Sequence, residues 1–153
     1  GERAAAWLKF PHRTRTSLVV GGWRAEQGSS RLGALLVGEP TAAGLVFRGR
    51  VGSGIAGAKQ RELAELLAPL VVTAAPFHAA VPRADAVGAV WVRPQLVIDV
   101  ESLGGAAASD AESGRLRQPT FRGVRFDLSP ADLLASDRLL EGGGTELRGG
   151  GDE

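Results

Sequence analysis

Apolar residues recur along this chain mostly in short runs with strand character, and only once in a clear helical stripe. Ser17 to Arg24 (SLVVGGWR) is the first run, a strand candidate ending in tryptophan. Glu26 to Arg31 (EQGSSR) is turn chemistry, and Gly33 to Gly38 (GALLVG) is a second strand that Pro40 is expected to stop. Leu45 to Val51 (LVFRGRV) is a third, with Val46, Arg48 and Arg50 expected on one face and Phe47, Gly49 and Val51 on the other. Connections this short call for antiparallel neighbours. The helical stripe lies in Ala58 to Leu70, where Leu63, Leu66, Leu67 and Leu70 fall at i, i+3, i+4 and i+7 and Pro69 ends the helix. A Pro- and Ala-rich connection from Thr73 to Asp85 follows. Ala89 to Val92 and Gln95 to Glu101 read as strand, with Pro94 marking a bend or edge. After a small-residue loop from Leu103 to Ser113, Arg115 to Phe121 and Gly123 to Asp127 are the last extended pieces. Ser129, Pro130 and Asp132 mark the start of a short helix: a capping serine, proline at the first helical position and an acid in the first turn.

The order is strand, strand, strand, helix, strand, strand. A mainly β, five-stranded Greek-key barrel with one helix between strands 3 and 4 is the layout of an OB-fold, although other small α+β barrels share that order. The 153 residues are enough for one domain with a sizeable core. Residues 136–153, rich in glycine and acid, are expected to be a disordered tail. Neither a membrane-length apolar run nor a secretory signal pattern is present. Without cysteine, disulfides and cysteine-based zinc sites or catalysis are excluded. Methionine is also absent and Gly1 to Phe10 reads as the middle of something, so the chain is expected to be a domain of a longer polypeptide.

Net charge is +1, but it is unevenly placed. Through Asp127 there are 16 basic residues against 11 acidic, and beyond it 2 against 6. The densest basic stretch is Gly114 to Pro130 (GRLRQPTFRGVRFDLSP), with Arg115, Arg117, Arg122 and Arg125 set among Phe121 and Phe126. Arginine's planar fork matches phosphate oxygens two at a time, so this pattern points to a polyanion, the alternative being a solvated basic strand. Gly52, Gly54 and Gly57 spell G-x-G-x-x-G, but the parallel strand that a dinucleotide site needs after the helix is missing. Those glycines are expected to shape a tight strand-to-helix turn. His12 and His78 have no metal-ligand spacing. Asp99 and Glu101 share a strand face and fit a solvated surface better than a cation site.

Taken together, four segments resemble the C-terminal OB domain of ATP-dependent DNA ligases, especially the bacterial end-joining kind. WLK at Trp7–Lys9 looks like the end of nucleotidyltransferase motif V. VVGGWR with GALLVG looks like the first two strands, and FRGRVGSG like the third strand and the turn before the helix. RPQLVIDV and GRLRQPTFRGVRFD look like the final strands and motif VI. The resemblance implies residues 1–15 as the end of the adenylation domain and linker, and 16–135 as the OB domain. It implies ATP and Mg as cofactors of the parent enzyme, none being bound by this domain alone. The implied partners are nicked double-stranded DNA and the adenylation domain of the same polypeptide, in a monomeric, cytoplasmic, nucleoid-associated enzyme with no membrane contact. An enzyme lysine takes AMP from ATP, passes it to a 5′-phosphate, and the 3′-hydroxyl then seals the nick. Lys9, Arg125 and Asp127 fall on the ATP-phosphate positions, and Arg115, Arg117, Arg122, Arg48 and Arg50 on the expected DNA side. The adenylated lysine is not in this chain, since Lys59 sits in AKQREL, so the fragment alone is expected to be inactive.

Three positions depart from the family pattern. Pro11 and Leu128 stand where lysines are usual, and the loop before GRLR is LGGAAASDAES. His12 or Arg13 is the expected substitute for the missing charge. Two alternatives use the same layout: a non-catalytic single-stranded nucleic-acid-binding OB module, and the OB domain of an RNA capping enzyme or RNA ligase.

Overall fold

The structure is a computed structural model and describes residues 13–103 and 114–134. Strand β1, Arg13–Ala25, is long enough to serve two sets of neighbours. Its second half pairs antiparallel with β2, Leu32–Thr41, which turns through Thr41 into β3, Gly44–Val51. After the glycine-rich turn come helix α1, Ala58–Leu67, a 3-10 turn over Ala68–Leu70 that contains Pro69, and the two-residue strand β4, Val71–Val72. The chain then carries a four-residue helix α2, Arg83–Ala86, before β5, Val90–Val92, and β6, Val97–Leu103. Strand β7, Arg117–Val124, merges the last two extended pieces. Residues 130–134 are helical; the Ser129 N–H donates to the Asp132 carboxylate at 2.8 Å, the reciprocal half of a capping box, while the Ser129 hydroxyl donates to the same carboxylate at 3.1 Å instead of accepting from a helix N–H.

Five long strands follow the OB-fold order. β3 pairs with β2, β2 with β1, β1 with β6 and β6 with β7. The ring is not closed by a ladder. The ends of β3 and β7 meet at one parallel bridge, Ser53 to Thr120, where the Phe121 N–H donates to the Ser53 carbonyl at 2.8 Å. Five strands were expected, and the described residues hold two more, both short: β4 pairs with β5, and β5 with the bend of β1 at Gly22 and Trp23. Gly54 and Gly57 have φ of 90° and 57°, and a side chain on Gly54 would stand 2.6 Å from the Phe121 carbonyl oxygen. This is the tight turn expected of the G-x-G-x-x-G run.

Two apolar layers explain why SLVV and ALLV are unbroken runs. Leu18, Val20, Leu35, Val37, Val51, Ile98, Val100 and Phe121 face the barrel interior, which Leu63 and Leu67 of α1 close off. Val19, Leu36 and Val97 point outward into a second cluster with Leu45 and Phe77. A sheet buried on both faces loses the polar alternation of a half-exposed one. The lid of the outer layer is the Pro- and Ala-rich connection, and Phe77 presses so closely that side chains on Gly21 or Gly38 would meet its ring at 2.5 and 2.8 Å.

Two local expectations are corrected. Pro40 does not stop β2; it pairs with Leu45 beyond Gly38, the last residue to pair with β1, so its missing N–H breaks no bond to that neighbour. The face assignment in β3 also fails. A bulge leaves Arg48 between the pairs Phe47–Gly38 and Gly49–Val37. One extra residue reverses the alternation, so Phe47 packs on the outer cluster, Val51 on the inner one, and Arg50, opposite Leu36, lies on Phe47's side.

Candidate nucleotide and nucleic-acid interface

The expected site arginines separate into three settings. The first surrounds Arg125, just past β7, whose backbone N–H is bonded to the Val97 carbonyl. One guanidinium nitrogen stands 3.3 and 3.4 Å from the two oxygens of Asp99. The Nε and the other terminal nitrogen donate to Asp127 at 3.0 and 2.8 Å. Asp99 is buried and also accepts from the Ser17 hydroxyl at 2.6 Å, whereas Asp127 is exposed. The hydrogen bond from Arg125, reinforced by the Asp127 N–H, holds the Asp127 carboxyl below the usual range, and Asp127 followed by Asp99 raises the Arg125 pKa. Arg125 is thus fixed on one side by a buried acid and on the other by a mobile-length exposed one. It borders a cleft of about 310 Å³ lined by Leu66, Leu70, Gln95, Leu96, Val97, Phe126 and Leu128.

The second setting is built on Asp85 of α2. Arg50 donates to Oδ1 through Nε at 3.1 Å, with its terminal nitrogen at 3.0 Å, and Arg115 donates to Oδ2 at 2.6 Å. Arg50 also holds the Ala84 carbonyl, and Arg24 the carbonyls of Asp85 and Val87. Burial works to raise the Asp85 pKa, but the hydrogen bonds and charges of Arg115 and then Arg50 outweigh it and hold the carboxyl below the usual range. Arg48 is spent separately, on Glu39 at 2.7 and 2.9 Å and on the Gly114 carbonyl at 3.1 Å. The Arg115 guanidinium lies over the Phe47 ring, 5.3 Å from its centroid.

The third setting is the outer surface of β7. Arg117 and Arg122 are exposed and have no ion-pair partner among the described residues. The structure therefore brings Arg50 and Arg115 together on Asp85, sets Arg48 apart with Glu39, pairs Arg125 with Asp127, and leaves Arg117 and Arg122 on β7. Lys9, Pro11 and His12 lie outside the described residues.

Three groups differ from their sequence expectations. Arg13 does not replace the cation missing at Leu128. It binds the carbonyls of Glu101 and Gln118, each at 3.1 Å, at the end of β6 away from Val97, ~20 Å along the strand at the usual rise per residue. Leu128 itself packs against the outer core. Asp99 and Glu101 are only in part a solvated face: Asp99 is buried and takes Arg125, whereas Glu101 stays partly exposed and takes Arg13 and Arg15. Asp85 went unrecognised inside a connection; its one signal is that it is the sole acid between Glu65 and Asp99.

Comparison with known proteins gives the family. The family described as ATP dependent DNA ligase C terminal region matches residues 28–128. The multifunctional non-homologous end joining DNA repair protein LigD of Mycobacterium tuberculosis is 40% identical over 136 residues, covering 88% of this chain and 17% of the relative. The LigD protein of Pseudomonas aeruginosa is 36% identical over 141 residues, covering 89% and 16%. The chain thus spans about a sixth of the length of these relatives. Among solved structures, the ligase domain of M. tuberculosis LigD superposes with a TM-score of 0.73 at 41% identity, over 80% of this chain and 39% of that one. A mycobacterial DNA ligase D complexed with ATP and MES gives 0.68 at 39% identity, over 80% and 38%. Fold, family model and relatives agree: the chain belongs to the family of C-terminal regions of ATP-dependent DNA ligases.

Proposed function

We propose that this chain is the OB module of a longer ATP-dependent ligase that seals nicked duplex DNA through enzyme-AMP and DNA-adenylate intermediates. Its arginines divide the work. Arg125 with Asp127, joined by Lys9, orients the ATP phosphates, and Arg50, Arg115, Arg117 and Arg122 engage the DNA, whereas Arg48, which the resemblance put on the DNA side, is held by Glu39. The observation that carries the first role is the asymmetric grip on Arg125. The buried Asp99 fixes one edge of the guanidinium, and the exposed Asp127 holds the other. A phosphate that takes the place of Asp127 meets a guanidinium already aimed, with its two donors in a fork.

Arg125 and its two carboxylates sum to a single negative charge, so this cluster alone is a poor phosphate site. Further cations must come from the adenylation domain or from the Mg that accompanies ATP. Bound ATP supplies the AMP group and the pyrophosphate leaving group, and Arg125 meets the charge that develops on the latter. The domain by itself lacks the nucleophilic lysine and carries no chemistry of its own.

In the full-length ligase, Arg125→Ala is expected to slow self-adenylation from labelled ATP by ~10²-fold, the scale of losing one preorganised donor. Sealing of a pre-adenylated nick should suffer much less. Equal losses in both steps would remove Arg125 from the ATP-phosphate role. The single-stranded binding alternative needs aromatic platforms for base stacking. Against it, Phe121 is buried, and Phe126 is the one aromatic among the strongly exposed large hydrophobic residues described. The RNA capping and RNA ligase alternative draws no support from the matched family and relatives, all of which are DNA ligases.

A further inference from the structure

Three arginines from separate parts of the chain converge on the four residues of α2. Arg24 comes from β1, Arg50 from β3 and Arg115 from the approach to β7. The centre is the Asp85 carboxylate, whose side chain is 5% exposed and whose two oxygens are divided between Arg50 and Arg115. The arginines themselves are not buried, with side-chain exposures of 38% and 34%. One buried carboxylate thus holds two guanidiniums at the surface, each still partly open to solvent.

We propose that Asp85 is a positioning residue for DNA binding, holding Arg50 and Arg115 as a preset pair for phosphate oxygens of the backbone. The inference rests on the DNA-facing role proposed for those two arginines. A free arginine side chain gives up its rotamer freedom when it docks on phosphate, and one already held by a carboxylate gives up less. The anchor is itself anchored. Arg24 holds the backbone carbonyls of α2 from below, and Phe77 seats the same connection on Gly21 and Gly38, so the Asp85 carboxylate has little room to drift.

The test turns on a conflict between charge and position. Asp85→Asn removes a negative charge beside the DNA, which by electrostatics alone strengthens binding. Positioning demands the opposite. With the full-length ligase and a nicked DNA duplex at fixed salt, Asp85→Asn is expected to weaken binding about tenfold, the scale of two side chains left to be ordered on contact. Self-adenylation measured without DNA should stay within about twofold of the parent protein, a split that a general loss of folding would not produce. Asp85→Glu keeps the charge but shifts the carboxylate by one methylene, and it too should weaken binding.

Binding by Asp85→Asn as tight as the parent's, or tighter, overturns the proposal. So does parent-like binding by Asp85→Glu, or a parallel loss of adenylation and DNA binding, which would assign Asp85 to folding alone. The double variant Arg50→Ala, Arg115→Ala separates the layers. Unchanged binding there removes the underlying role of the arginines, whereas weakened binding there with unchanged Asp85→Asn removes only the role of Asp85.

Discussion

A buried carboxylate stays ionised only where its charge is answered, and Asp85 is answered by two guanidiniums. Its pKa is lowered in the folded chain despite burial. A group with a depressed folded pKa adds stability above its unfolded value, and that contribution is lost as pH falls through the folded pKa. The Asp85 contribution is therefore full at neutral pH and disappears below about pH 4, the ordinary aspartate range. Urea unfolding of the parent and Asp85→Asn proteins across this range should show a stability gap at pH 7 that shrinks steadily in acid. A constant gap would mean that Asp85 does not titrate as an ion pair. Ser102 is the opposite case. It is fully buried and its hydroxyl has no hydrogen-bond partner among the described residues. A desolvated hydroxyl without a partner is a standing cost, so Ser102→Ala should raise stability by about 1 kcal/mol, visible as a higher thermal midpoint. A lower midpoint would show that the hydroxyl is bonded.

At the scale of elements, glycine and proline act here through space rather than through local propensity. Gly38 lies in mid-strand, where a Cβ would stand 2.8 Å from both Phe77 and Leu45 and 2.9 Å from the Val46 carbonyl. Phe77 can turn aside, but the carbonyl belongs to the β2–β3 ladder. Gly38→Ala should therefore cost roughly 1–3 kcal/mol, the range for overpacking, although alanine is usually no worse than glycine in a strand. A stability within experimental error of the parent would show that the outer layer is looser than its contacts imply. These close approaches mark the limit of what was legible in the sequence. The three meander strands, the helix over the barrel and the Ser129 cap follow from period, turn residues and capping chemistry. The β3 bulge does not, because nothing in LVFRGRV marks Arg48 as the extra residue; the bulge is fixed by pairing with β2. Likewise, a connection rich in proline and alanine looks like a loop until Phe77 finds the two glycines on which it lies. The same holds for the candidate site: the motif resemblance points to Arg125 and Asp127, but Asp99 becomes the partner of Arg125 only through the β6–β7 register.

At the scale of the whole molecule, the arginines that look alike in the sequence differ in how much charge each offers a polyanion. Arg117 and Arg122 stand on β7 with no ion-pair partner among the described residues, so each carries a full unit. Arg50 and Arg115 share one carboxylate, so together they offer less than two units. Arg48 faces Glu39 at 2.7 Å and offers almost none. Binding to duplex DNA releases counterions in proportion to the phosphates neutralised, so the salt dependence of binding reads this division directly. With a nicked duplex and the full-length ligase, Arg117→Ala and Arg122→Ala should each reduce the slope of log affinity against log salt by about 1. The double variant of Arg50 and Arg115 should reduce it by clearly less than the ~2 expected of two unshared arginines. Arg48→Ala should leave the slope unchanged while loosening the tie between β3 and the Gly114 carbonyl, an effect read as lower thermal stability. A slope that falls by the same amount for every arginine removed would mean that DNA strips away the internal carboxylates on binding, and that the pairing seen in the free domain does not survive in the complex.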